Sequence, residues 1–223
     1  MVTYSRVPIS GDPSSRIQLF EHLAPNVLCC RYWWLDNWKS DKMAFPYWRL
    51  YWNKVGGAYV HYKQDVQLTP EKLVLIPPNT MFSTGIAGAQ YNNSSAGYSL
   101  IGNMVSSLAE EQHCIENHRV LHLFIHFNLG GPFDNVKPGI YSFDINNEQK
   151  QTINKVTTKL IKENSRFNAM DSLGIYSLIL SAVCNMPANV LVAKNLERRL
   201  SLLLSFIDDN INQQLTNVLW PQE

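Results

Sequence analysis

The sequence lacks a charge surplus: 19 Lys and Arg stand against 18 Asp and Glu. A domain that grips nucleic acid unaided needs cationic excess to neutralise phosphates, so this balance argues against one. The same balance excludes an acidic, solvating chain. Spaced cysteine pairs are missing too. Cys29, Cys30, Cys114 and Cys184 contain no C-x-x-C, so neither a zinc ribbon nor a redox dithiol is available, and they read as free thiols of a reducing compartment. No run approaches the roughly 18 apolar residues of a membrane helix, and the opening MVTYSRVPISGDPSSR has no apolar segment of signal type. A cytoplasmic location without membrane contact is expected. Catalytic motifs are equally scarce. There is no G-x-S-x-G elbow, no Gly-rich phosphate loop and no pair of carboxylates on the strand candidates, so no enzymatic activity is expected.

What is present is a large apolar fraction, 45 % of residues, enough for a sizeable core. Aromatic residues are concentrated: five of six tryptophans, Trp33, Trp34, Trp38, Trp48 and Trp52, fall in one short stretch. Residues 1–16 are polar, rich in Pro, Gly and Ser, and read as a loose arm. From 17 to 145 short apolar segments (VLCCRYWW, PYWRLYWN, GAYVHYK, KLVLIPP, VLHLFIHF) alternate with turn residues, the pattern of a sandwich or barrel. Residues 85–118 interrupt it, small and polar at first, with a short helix expected in MVSSLAEEQH.

After Phe143 the period changes. Ile153, Val156, Leu160 and Ile161 form one stripe of an amphipathic helix, and MDSLGIYSLILSAVCNM is apolar nearly all round, as in a buried helix. Beyond Pro187, Leu196, Leu200, Leu203, Ile207 and Ile211 recur at three- and four-residue steps. The expected fold is therefore mainly β with an α appendix: a barrel followed by about three helices. The helical region spans 146–216 and ends in a short tail, 217–223.

Two segments resemble the conserved segments of cupin barrels, and that resemblance implies that the barrel is cupin-like, a jelly roll. KLVLIPPNTMFST matches P-x-G-x-x-H, with Asn79 at the left-handed glycine and Phe82 at the histidine. In the first cupin segment, aligned on Gly56, Met43 and Phe45 stand at the histidines and Arg49 at the glutamate. None of these four residues coordinates a cation, so no metal or other cofactor is expected. His118, His122 and His126 cannot substitute, because residues four apart on a strand lie about 13 Å apart, too far for one ion. On VLHLFIHF, His122, Phe124 and His126 share one face; the histidines either hydrogen-bond neighbours or meet a ligand.

The order PYWRLYWN, LIPPNT, HLFIHFN resembles the N-terminal regulatory part of AraC-type transcriptional regulators. That resemblance implies a metal-free barrel binding a small effector, often a sugar, helices that dimerise, and a C-terminal pair of helix-turn-helix motifs that grips DNA. The DNA-binding half is expected to be absent here, since Leu215, Thr216 and Asn217 lead only into VLWPQE. This chain alone is then not expected to bind nucleic acid. Alternation on PYWRLYWNK sets Trp48, Leu50, Trp52 and Lys54 against Arg49, Tyr51 and Asn53. Trp48 and Trp52 are either pocket or ordinary core. Trp48, Trp52, Lys54, Thr84, His122 and Phe124 are the candidates for contact with a sugar or related polyol, and Leu196, Leu200, Leu203, Ile207 and Ile211 for a homodimer contact. The alternative is a freestanding cupin enzyme, an isomerase, epimerase or metal-dependent oxygenase.

Overall fold

A computed structural model describes residues 2–4, 19–21, 23–87, 98–163 and 166–191. In chain order its strands are β1 (Val2–Tyr4), β2 (Leu19–Glu21), β3 (Asn26–Met43), β4 (Trp48–Val55), β5 (Ala58–His61), β6 (Asp65–Leu68), β7 (Lys72–Ile76), β8 (Phe82–Ile86) and β9 (Ser99–Met104). The helix α1 (Leu108–Glu116) follows, then β10 (Val120–Asn128), a 3-10 turn (Gly131–Asp134) and β11 (Tyr141–Asp144). The helices α2 (Asn147–Lys162), α3 (Ala169–Cys184) and the short α4 (Ala188–Leu191) complete the described chain. Strands β1 and β2 pair with each other, apart from the main sheet. The remaining strands form one antiparallel sheet in the order β11-β7-β4-β10-β3-β8-β5-β6, with β9 on β3, curled into a nearly closed barrel.

Each apolar segment singled out in the sequence is a strand, because β-branched and aromatic side chains pack well on a pleated surface. Asn79 takes the expected left-handed conformation, φ 58°, in the turn between β7 and β8. The long β3 shifts register against β9 between Leu35 and Asn37, and against β8 between Ser40 and Met43. Such bulges bend and twist a strand, which lets β3 serve several partners around the barrel.

Alternation divides the core in two. Trp48, Leu50 and Trp52 of β4 and Leu121, Leu123, Ile125 and Phe127 of β10 belong to a cluster with Ile153, Val156 and Leu160 of α2 and Ile175, Leu178 and Ile179 of α3. Leu35, Trp38, Tyr51, Val60, Val74 and Phe82 form the second cluster, inside the barrel. Both long helices open on capping boxes, Asn146 with Gln149 and Asn168 with Asp171, which satisfy backbone N–H groups that otherwise lack acceptors. The α2 stripe is buried as its period requires. In contrast to expectation, α3 is not buried all round: Met170 is 75 % and Leu173 58 % exposed, because α3 packs one face on the barrel and α2. The stripe from Leu196 to Ile211 lies outside the described residues. Among those described, no helix is long and apolar enough to cross a membrane.

The helix expected in MVSSLAEEQH is α1, capped by the Ser107 side chain and pinned to the barrel by two carboxylates. Glu110 accepts from Trp34 Nε1 at 2.9 Å and from Ser106 N at 2.7 Å. Glu111, buried, accepts from the Tyr32 hydroxyl at 2.8 Å and from Lys54 Nζ at 2.9 Å. Replacing Glu111 with Ala leaves a buried phenol without an acceptor and an ammonium without its partner, and should lower unfolding stability by about 2 kcal/mol. Lys54→Ala should cost less than about 1 kcal/mol, since the ammonium is a third exposed. Urea denaturation of the two variants against the parent checks both.

Candidate functional site

The barrel encloses a cavity of about 380 Å³, within the range that holds small ligands. Its lining is aromatic: Trp33 and Trp38 from β3, Phe45 and Tyr47 from the β3–β4 connection, Tyr51 from β4, Phe124 from β10, and Tyr98. Leu35, Ser40, Met43, Arg49, Thr84, Leu100, His122 and His126 complete it. These positions converge because β4 and β10 are paired in register, with His126 opposite Arg49 and Phe124 opposite Tyr51. Residues opposite one another across an antiparallel pair share a face.

Arg49 dominates the electrostatics. It is 8 % exposed, and its guanidinium carbon lies 3.6 Å from the centre of the Phe45 ring, 5.2 Å from Tyr47 and 5.3 Å from Phe82. Its Nη1 donates to the Tyr51 hydroxyl at 2.7 Å and its Nη2 to the Tyr47 hydroxyl at 3.2 Å. Its Nε is buried and has no hydrogen-bond partner among the described residues. No carboxylate lines the cavity, and among the described residues none forms an ion pair with Arg49. Ring faces and phenols compensate only part of the desolvation of a fixed charge. Burial pushes the Tyr51 phenol up to about 12 against the opposing pull of Arg49, so it remains neutral.

The histidines bear the same field. His122 is brought down to about 3, chiefly by burial and further by His126 and Arg49. Being neutral, it donates Nδ1–H to Asn53 Oδ1 at 2.7 Å, which leaves Nε2 as an acceptor. Burial and then Arg49 bring His126 to about 3. Its Nδ1 lies 3.2 Å from Cys29 Sγ, and burial raises the Cys29 thiol above its ordinary range. With thiol and imidazole both uncharged, this pair is not the thiolate–imidazolium couple a nucleophilic cysteine needs. Ser40 and Thr84 hydroxyls bond each other at 2.7 Å. The rings form a continuous wall, with Phe124 5.6 Å from His122, 5.2 Å from His126 and 6.1 Å from Trp33.

Of the six candidate ligand contacts, the structure brings Thr84, His122 and Phe124 together in the cavity. Trp48, Trp52 and Lys54 do not reach it. Trp48 and Trp52 lie in the core shared with the helices; Trp48 Nε1 donates to Asp134 and Trp52 Nε1 to the Pro70 carbonyl, while Lys54 is held by Glu111. The sequence expectation chose the wrong face of β4, because its more apolar face is the one the helices cover. The residues it missed, Arg49 and Tyr51, sit on the other alternation. Of the four residues at cupin ligand positions, Met43, Phe45 and Arg49 line the cavity and Phe82 packs against the guanidinium. Among the described residues, no three His, Cys, Asp or Glu side chains converge as a metal site.

No family model and no curated protein matches the chain. Among solved structures it is similar to an apo variant of ToxT from Vibrio cholerae strain SCE256, with a TM-score of 0.44 and 8 % identity over 85 % of this chain and 67 % of that one. It is also similar to ToxT of Vibrio cholerae O395 bound to (E)-4-(8-methylnaphthalen-1-yl)but-3-enoic acid, with a TM-score of 0.41 and 8 % identity over 89 % of this chain and 69 % of that one. For unsaturated fatty acid bound ToxT of strain SCE256 the TM-score is 0.41 and the identity 10 %, over 87 % of this chain and 65 % of that one.

The two histidines make stability depend on pH. Unfolded, each takes a proton near 6.5; folded, each resists down to about 3. The unfolded state thus binds more protons between these values, and stability, complete above pH 6.5, falls as pH drops through that window. The urea midpoint should decline from pH 6.5 to about 4.5, above the range where most carboxylates titrate. His126→Gln should remove roughly half of that decline. A flat profile in the parent protein would contradict the neutral, buried state of both rings.

Proposed function

We propose that this chain is the effector-sensing region of an AraC-type transcriptional regulator, with the barrel cavity as its small-molecule site. The cavity carries the reading: an aromatic chamber of about 380 Å³ holds a buried guanidinium with no ion-pair partner among the described residues, which barrel stability alone does not require. The order and spacing of PYWRLYWN, LIPPNT and HLFIHFN support the family, and each of these segments contributes residues to the cavity or to the turn beside it. In such a regulator the barrel senses and the helices transmit, while DNA is held by helix-turn-helix motifs. The sugar preference expected from the sequence rested on Trp48, Trp52 and Lys54. Since those side chains lie elsewhere, the reading kept here is a small-molecule effector without that restriction.

A thermal-shift screen of sugars, uronic acids and organic acids tests the cavity, because a ligand of the native state must raise the unfolding temperature with concentration. At least one compound should do so, and Leu100→Trp, which fills the chamber from β9, should abolish the shift. A shift that survives Leu100→Trp would locate the ligand outside the barrel.

Homodimerisation through Leu196, Leu200, Leu203, Ile207 and Ile211 belongs to the same proposal. A twofold pair is the commonest closed arrangement, and it suits a regulator that reads paired half-sites. Sedimentation equilibrium of the full chain at micromolar concentration should give twice the monomer mass, and Leu203→Glu should return it to monomer. A concentration-independent monomer would remove the dimer from the proposal.

A further inference from the structure

We infer that the cavity takes a monoanionic organic acid with a flat apolar body, its carboxylate anchored on Arg49; this rests on the proposed small-molecule site and names its ligand class. The first argument is charge. Arg49 cannot shed its proton, it is more than nine-tenths buried, and among the described residues no carboxylate pairs with it. One unpaired cation in a low-dielectric chamber is matched by one negative charge. A dianion such as a phosphate monoester would bury a second, uncompensated charge.

Hydrogen-bond capacity gives a second argument. A guanidinium has five N–H donors. The Tyr47 and Tyr51 hydroxyls engage one on each Nη, and Nε has no partner. Trp33, which contributes to the lining, likewise has its Nε1 buried and without a partner among the described residues. Both orphaned atoms of the lining are donors. Ser40 and Thr84 spend one hydroxyl proton on each other, and the acceptors of the lining, such as His122 Nε2, are uncharged, so the charged donor Arg49 sets the preference for an acceptor-rich ligand. A carboxylate presents acceptors only, in the planar fork that a guanidinium matches. The rest of the lining offers ring faces for a flat hydrocarbon body.

Isothermal titration of the full chain with biphenyl-4-carboxylate, biphenyl-4-carboxamide and glucose separates the possibilities. The acid should bind roughly 10-fold or more tightly than its isosteric amide. Arg49→Met, which keeps the packing stem, should bring the acid down to the level of the amide and leave the amide unchanged. Should Arg49→Met not fold by circular dichroism, Arg49→Lys carries the test: it retains charge without the fork, so the preference for acid should shrink without vanishing. An acid preference unchanged by either variant overturns Arg49 as the anchor. Equal binding of acid and amide, or binding of glucose alone, overturns the anionic ligand while the cavity reading stands. No binding by any of the three overturns the inference, and failure of the wider thermal-shift screen as well would overturn the cavity reading itself.

Discussion

The pairing of β4 with β10 is the constraint on which the rest depends. Leu50 faces Ile125 and Trp48 faces Phe127 on one side of this pair; Arg49 faces His126 and Tyr51 faces Phe124 on the other. A slip of one residue would exchange the faces, turning a guanidinium toward the helices and tryptophans into the chamber. Register is therefore set by the cost of the wrong arrangement. The apolar face needs α2 and α3 as a cover, and the other face needs a nearly closed barrel whose interior is left partly unfilled.

Closure has an electrostatic consequence. Burial keeps the His122 and His126 rings neutral, an effect the nearby Arg49 charge adds to, and it holds the Tyr51 proton against the pull of that charge. Among the described residues, the chamber contains one fixed cation and otherwise uncharged donors, acceptors and ring faces. That set can orient a ligand by one strong contact and hold it by dispersion and apolar burial. It supplies no activated nucleophile, since the Cys29 thiol beside His126 is raised by burial.

Outside the chamber, the charged groups do structural work in pairs. Glu111 gathers Tyr32 and Lys54, Glu110 gathers Trp34 and Ser106, and Arg119 pairs with Asp36 at 2.5 Å while lying over the Trp34 ring. These contacts fasten α1 and the start of β10 to β3 and β4. The contrast with Arg49 is physical: a partly exposed ammonium next to a carboxylate is accounted for by stability, whereas a buried guanidinium among phenols and rings is not.

Much of this was legible in the residues. Period-two runs marked β3, β4, β5, β7 and β10, and the stripe Ile153, Val156, Leu160, Ile161 marked α2. Asn79 marked the left-handed turn, while the cupin positions, Arg49 among them, were legible only as lacking metal ligands. Alternation along PYWRLYWNK also divided Arg49 and Tyr51 from Trp48 and Trp52, so both faces of β4 were known before their surroundings. Which face looked inward was decided only by tertiary structure. Alternation defines two sides of a strand, but their environments come from distant segments: α2 and α3, far along the chain, bury the more apolar side because more area leaves water there. The less apolar side was left to line the cavity, and Arg49, which the sequence marked only as a residue unable to hold a metal, became a buried cation of its wall.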